Sequence, residues 1–82
     1  MSRLVGLELA GFHSGDGELF RRLVEQHSPR LLAIARSFAA DVEEAHDLVQ
    51  ETWRRAFEKR RTYRGSGTLS GWLYAVCRSV CL

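Results

Sequence analysis

Between Asp41 and Phe57 the chain reads DVEEAHDLVQETWRRAF. Val42, Ala45, Leu48, Val49, Trp53, Ala56 and Phe57 recur at spacings of three and four, which places them on one face of an α-helix. Asp47, Glu51, Arg54 and Glu58 fall at i, i+4, i+7 and i+11 and form a polar stripe on another side, with Gln50 at its edge. Asp41 suits the N-cap, and Glu44 three residues on completes a box-like start. The pattern predicts a helix from Asp41 to about Arg61, with one face to bury and a patterned face to show.

The flanking segments read less cleanly. Residues 1–14 are weakly patterned and diluted by Gly6 and Gly11, which predicts a loose N-terminal extension. Ser14-Gly15-Asp16-Gly17 is a turn whose Asp16 can cap a helix starting directly after it. That helix is expected from Glu18 to His27, with Leu19, Phe20, Leu23 and Val24 inward. Proline fits the first turn of a helix and its interior badly, so Ser28 is expected to cap a second segment, Pro29 to Phe38, with Leu31, Leu32, Ile34, Ala35 and Phe38 available to the core. One kinked, continuous helix is the alternative. Thr62 to Ser70, TYRGSGTLS, is a loop. A last helix begins near Ser70 and sets Leu69, Trp72, Leu73, Val76, Cys77, Val80 and Cys81 on one side, with Tyr74, Arg78 and Ser79 elsewhere. No segment alternates as a strand would. The expected architecture is all-α, a compact bundle of three to five helices.

At 82 residues this is one domain with a modest core. No apolar run approaches the roughly 20 residues of a membrane helix, and the N-terminus is a poor signal peptide, so the expectation is a cytoplasmic protein without membrane insertion. Charge changes the picture more. Residues 1–51 carry five Lys/Arg against nine Asp/Glu, whereas residues 52–82 carry seven against one. A basic half of this kind suggests a polyanion such as nucleic acid, with a merely solvated basic face as the plain alternative.

Catalytic and cofactor chemistry find little support. Gly65-Ser66-Gly67 follows a helix rather than a strand and lacks the lysine of a phosphate loop. The serines show no spacing that suggests a triad. His13, His27 and His46 share no metal-ligand spacing, and His27 reads as a helix-end or half-buried side chain. Cys77 and Cys81 are too few for a disulfide framework. Four apart on an apolar helix face, about 6 Å along the axis, they read as small core residues and not as a disulfide. The expectation is no enzyme, no cofactor and no metal.

The strongest chemical signal runs from Arg54 to Arg78. Arg54, Arg55, Lys59, Arg60, Arg61 and Arg64 give six cations within eleven residues, against Glu58. Tyr63 lies among them, and Trp72 and Tyr74 come soon after. Cations neutralise phosphates, aromatic rings stack on unpaired bases, and a loop rich in glycine and hydroxyls offers donors to base edges. Trp72 reads better as a core residue, and Tyr63 can also serve merely as cover for a helix end. Unpaired DNA fits better than major-groove reading, since no helix-turn-helix pattern precedes a basic helix.

DLVQETWRRAF followed by TYRGSGTLSGWLYAV resembles region 2 of bacterial RNA polymerase sigma factors, in the extracytoplasmic-function (ECF) group of the sigma-70 family. The resemblance spans about Gly15 to Val80. It includes a GD-x-x-x-F opening (Gly15, Asp16, Phe20), an A-x-DLVQE segment, an aromatic-Arg-Gly turn (Tyr63-Arg64-Gly65) and WLY. It implies a transcription initiation factor domain with two surfaces. The DLVQE helix would dock on the clamp helices of the polymerase β′ subunit through Asp47, Gln50 and Glu51, with Arg54, Arg55 and Glu58 beside them. The loop and last helix would recognise and help open the −10 promoter element, holding an extruded non-template base. The residues implied there are Arg60, Arg61, Tyr63, Arg64, Ser66, Gly67, Thr68, Leu69 and Ser70, then Tyr74, Arg78 and Ser79. An anti-sigma factor is a further implied partner. The chain departs from the family at His46, where an acidic residue is usual, at Ser79, where asparagine is common, and at both cysteines. It ends at Leu82, where relatives continue into a second domain, so the resemblance implies residues 15–82 as a first domain, with the region 4 domain absent.

Two other classes of function are compatible with the residues. A helical protein-interaction module would use the Asp47–Glu58 face without binding DNA. A thiol-based regulator would use Cys77 and Cys81.

Overall fold

A computed structural model describes residues 4–82. Its four α-helices are, in order, α1 (Gly6–Ser14), α2 (Gly17–Arg36), α3 (Val42–Glu58) and α4 (Leu69–Cys81), with a single 3-10 turn, Arg60–Thr62, after α3. The fold is an all-α bundle, as the periodicity predicts. Helices α2, α3 and α4 pack against one another, and α1 lies on α2 and on the 3-10 turn.

Of the loose extension expected over residues 1–14, the first three lie outside the described residues, and Gly6–Ser14 form helix α1 instead. Phe12 anchors it and is fully enclosed. Its ring stacks on Phe20 at 5.0 Å and meets Tyr63 and Trp72 edge-on at 5.8 and 5.7 Å. One aromatic supplies much of the packing, so no periodic apolar stripe is needed. Gly15 ends α1 in the left-handed region, at φ 80°, where a Cβ would come within 3.2 Å of the Phe57 ring. Asp16 then caps α2, accepting from the backbone N–H groups of Glu18 and Leu19 at 3.0 and 3.1 Å.

The expected break at Ser28-Pro29 does not occur. Pro29 lies inside α2, which runs unbroken for 20 residues. The buried residues Leu19, Leu23, His27, Leu31 and Ala35 repeat every four positions along one stripe. Burying that continuous stripe outweighs the cost of an interior proline, ~3 kcal/mol. Ser28 caps nothing; its Oγ accepts from the Trp53 indole at 3.0 Å and ties α2 to α3. His27 is in mid-helix and buried, not at a helix end.

Helix α3 starts as predicted, with Asp41 accepting from Glu44 N–H at 2.8 Å. Glu44 reaches back one residue further than in a standard capping box, accepting from Ala40 N–H at 3.3 Å. The helix ends at Glu58, short of the expected Arg61, because the chain tightens into the 3-10 turn, where both the N–H and the hydroxyl of Thr62 bond to Lys59 O. Ala45, Val49 and Ala56 are buried as expected, but so is Thr52, whose hydroxyl donates to Leu48 O at 2.7 Å. Thr68 caps α4 through a bond from Gly71 N–H at 3.1 Å. Cys77 is buried and Cys81 half-buried, and both are free thiols; burial, then the Cys77 thiol, pushes Cys81 up to about 11. No helix among the described residues is long and apolar enough to cross a membrane.

Candidate functional site

Two surfaces carry the residues singled out from the sequence. The first is the outer face of α3. Asp47, Gln50, Arg54 and Glu58 are exposed, and Glu51 and Arg55 are half-buried. The i, i+3 and i, i+4 spacings make this a linked strip. Arg54 donates to Glu51 Oε1 at 2.9 Å and to Glu58 Oε2 at 2.7 Å, and Arg55 Nε lies 3.5 Å from Glu51 Oε2. The Arg54 hydrogen bond holds the Glu51 carboxyl below the usual carboxylate range, and Glu51 in turn raises Arg54. The side chains of Asp47 and Gln50 have no hydrogen-bond partner among the described residues, which leaves both free to engage another molecule.

The second surface is a cleft beneath the loop that joins the 3-10 turn to α4. It has a volume of about 350 Å³ and is lined by Thr62, Tyr63, Arg64, Ser66, Gly67, Thr68, Gly71 and Trp72. That is near the lower end of the roughly 300–1,000 Å³ of small-ligand pockets and suits a single flat group. The indole supplies an apolar wall and the loop supplies hydroxyls and backbone groups. The N-terminus of α4 opens beside the cleft and contributes its positive end. Lys59, Arg61 and Arg64 are exposed nearby in sequence and form no ion pair among the described residues.

The structure sorts the candidate residues. Arg64, Ser66, Gly67 and Thr68 converge on the cleft, and Arg61 is exposed one residue before its Thr62 wall. Tyr63 does line it, but only 3% of its surface is exposed, and its ring is fixed against Phe12 and Trp72. The ring is therefore part of the floor, not a free stacking platform among the cations. Leu69 is buried in the core and Ser70 half-buried at the start of α4. Arg60 is turned inward: its Nε donates to His13 O at 3.0 Å, its Nη1 to Phe57 O at 2.9 Å, and its guanidinium sits 4.2 Å above the Phe57 ring. Tyr74, Arg78 and Ser79 are exposed on α4 outside the cleft, and Ser79 bonds back to Val76 O. Thr62 and Gly71 also line the cleft; Thr62 falls in the stretch the sequence marks as loop and Gly71 directly after it, neither being among the contact residues singled out there, and both face it through the turn and the cap.

Among the described residues, no group of three His, Cys, Asp or Glu side chains converges as a metal site would. The chain matches the Sigma-70 region 2 family over residues 23–82. It is 35% identical over 60 residues to the ECF RNA polymerase sigma factor SigE of Mycolicibacterium smegmatis, covering 73% of this chain and 23% of that protein. It is 31% identical over 62 residues to the RNA polymerase sigma-H factor of Pseudomonas aeruginosa, covering 76% and 32% respectively. The chain thus spans less than a third of the length of either relative. With the family matched over well more than half of its residues and its relatives named as sigma factors, the chain belongs to the Sigma-70 region 2 family, as a region 2 domain of the ECF type.

Proposed function

We propose that the chain is the part of an initiation factor that docks on the clamp helices of RNA polymerase β′ through the α3 face and receives an unpaired −10 base in the loop cleft. The observation that carries this reading is the cleft itself: a pocket with an indole in its wall and Arg64 in its lining, in a chain whose relatives are RNA polymerase sigma factors. Extruding a base costs a few kcal/mol, and stacking on Trp72 with hydrogen bonds from the loop offsets it. The domain performs no chemistry; it supplies promoter address and strand opening to the polymerase that makes RNA.

On α3, Asp47 and Gln50 are the open contacts, while Arg54, Glu51 and Glu58 are engaged in ion pairs with one another. The test is a titration of the chain against an isolated β′ clamp-helix fragment. Gln50→Ala with Asp47→Ala is expected to weaken binding at least tenfold with α-helical circular dichroism unchanged. Undiminished binding by a fully helical double variant would remove this face from the interface.

A further inference from the structure

The residues that shape the cleft from behind come from outside the family-matched segment. The Leu4 backbone N–H donates to the Tyr63 hydroxyl at 3.2 Å, and that hydroxyl donates to Gly67 O at 2.6 Å. One phenol oxygen thus joins the start of the chain to the lip of the loop. His13 Nε2 lies 2.6 Å from Tyr63 O. A carbonyl only accepts, so the His13 proton in this contact is on Nε2. The His13 carbonyl in turn accepts from Arg60 at 3.0 Å. Gly65, at φ 77°, fits so closely on Leu4 that a Cβ there would meet the Leu4 carbonyl at 2.7 Å.

We infer that the segment Leu4–His13 is a positioning element for the promoter loop: through His13, Tyr63 and the Leu4 backbone it holds the cleft in its receiving shape before a strand arrives. This rests on the reading of the cleft as the base-receiving site. The logic is preorganisation. A loop already fixed loses less conformational freedom on binding than one that must be ordered by its ligand. Neither His13 nor the Tyr63 hydroxyl acts on DNA directly; both act through the backbone of Tyr63 and Gly67.

The test compares Tyr63→Phe, His13→Ala and His13→Gln with the unaltered 82-residue chain. Phenylalanine keeps the ring and removes the hydroxyl; glutamine keeps a side-chain N–H donor near the position of Nε2. The readouts are amide hydrogen exchange of residues 64–68, affinity for the β′ clamp-helix fragment, and affinity for a fluorescein-labelled single-stranded DNA 12-mer selected by the unaltered chain from a random pool. Tyr63→Phe and His13→Ala are expected to speed loop exchange and weaken the 12-mer by roughly three- to tenfold, with clamp-fragment affinity unchanged and His13→Gln close to unaltered. Unchanged loop exchange and 12-mer affinity in both variants would overturn the positioning role while the cleft keeps its assignment. Parallel loss of clamp-fragment binding and helicity would overturn it in favour of a general structural role. Failure of the unaltered chain to select any 12-mer would remove the base-receiving reading, and the positioning role with it.

Discussion

His27 is a titratable side chain in the middle of a packed helix, 4% exposed. Burial, and then the nearby Arg30 charge, lowers it from its ordinary value near 6.5. The unfolded chain therefore binds a proton that the folded one resists, and stability falls as the pH drops through 6.5 toward the folded value. Urea unfolding at pH 7.5 and 5.5 is expected to show a lower midpoint at 5.5, and His27→Gln is expected to shrink that difference. An equal difference in the variant would assign the effect elsewhere. Glu51 acts in a separate, more acidic window: its carboxyl is held below its ordinary value, so its contribution is present above about 4.5 and is lost below it. At the same scale, the identity of a residue predicts its type of role better than its direction. The cations and Tyr63 are legible as one cluster, yet the 3-10 turn aims Arg60 at His13 and Phe57 and sinks the Tyr63 ring, because three residues in a tighter helix rotate their side chains out of the α-helical register.

At the scale of elements, α3 is legible because a cap and a period agree, although Val42 and Phe57 at the two ends of the predicted apolar face are exposed. Helix α2 reads as two segments because proline is a strong local signal, whereas the stripe from Leu19 to Ala35 decides the matter over five turns. Helix α1 leaves almost no trace in the pattern, since one enclosed aromatic and a glycine cap hold it rather than a repeat. Pro29 remains a local fault in a helix kept continuous by the packing of its buried stripe. Pro29→Ala restores an N–H for Glu25 O and is expected to stabilise the chain by about 1–3 kcal/mol, several degrees in thermal melting followed at 222 nm. A melting point that does not rise would show that the packing of α2 depends on the proline ring.

At the scale of the molecule, the ion pairs among the described residues are confined to α2 and α3, and Arg22, Arg30 and Arg36 on α2 are exposed without one. The ion pairs among the described residues join Arg21 to Glu18 and Glu25 on α2, and Arg54 and Arg55 to Glu51 and Glu58 on α3. Lys59, Arg61, Arg64 and Arg78 stay exposed and unpaired among those residues. The two proposed contacts should therefore differ in salt dependence. Single-strand binding that uses about three phosphate contacts has a log–log slope near −2, so raising salt from 50 to 200 mM weakens it roughly 20-fold. Clamp-fragment binding through the internally paired α3 face is expected to change much less over the same range. Equal slopes for both ligands would contradict this division.

The loop holds two glycines that are alike on paper and opposite in freedom. At Gly65 any side chain collides with the Leu4 carbonyl, whereas a Cβ at Gly67 meets nothing within 4 Å. Gly67 is fixed only through its backbone carbonyl, by the Tyr63 hydroxyl. The lip is thus a short cassette pinned at Gly65 and at the Gly67 carbonyl: positions 64, 66 and 67 face outward and are expected to tolerate exchange, and on the proposed reading of the cleft these are the three positions where a different promoter address would be written.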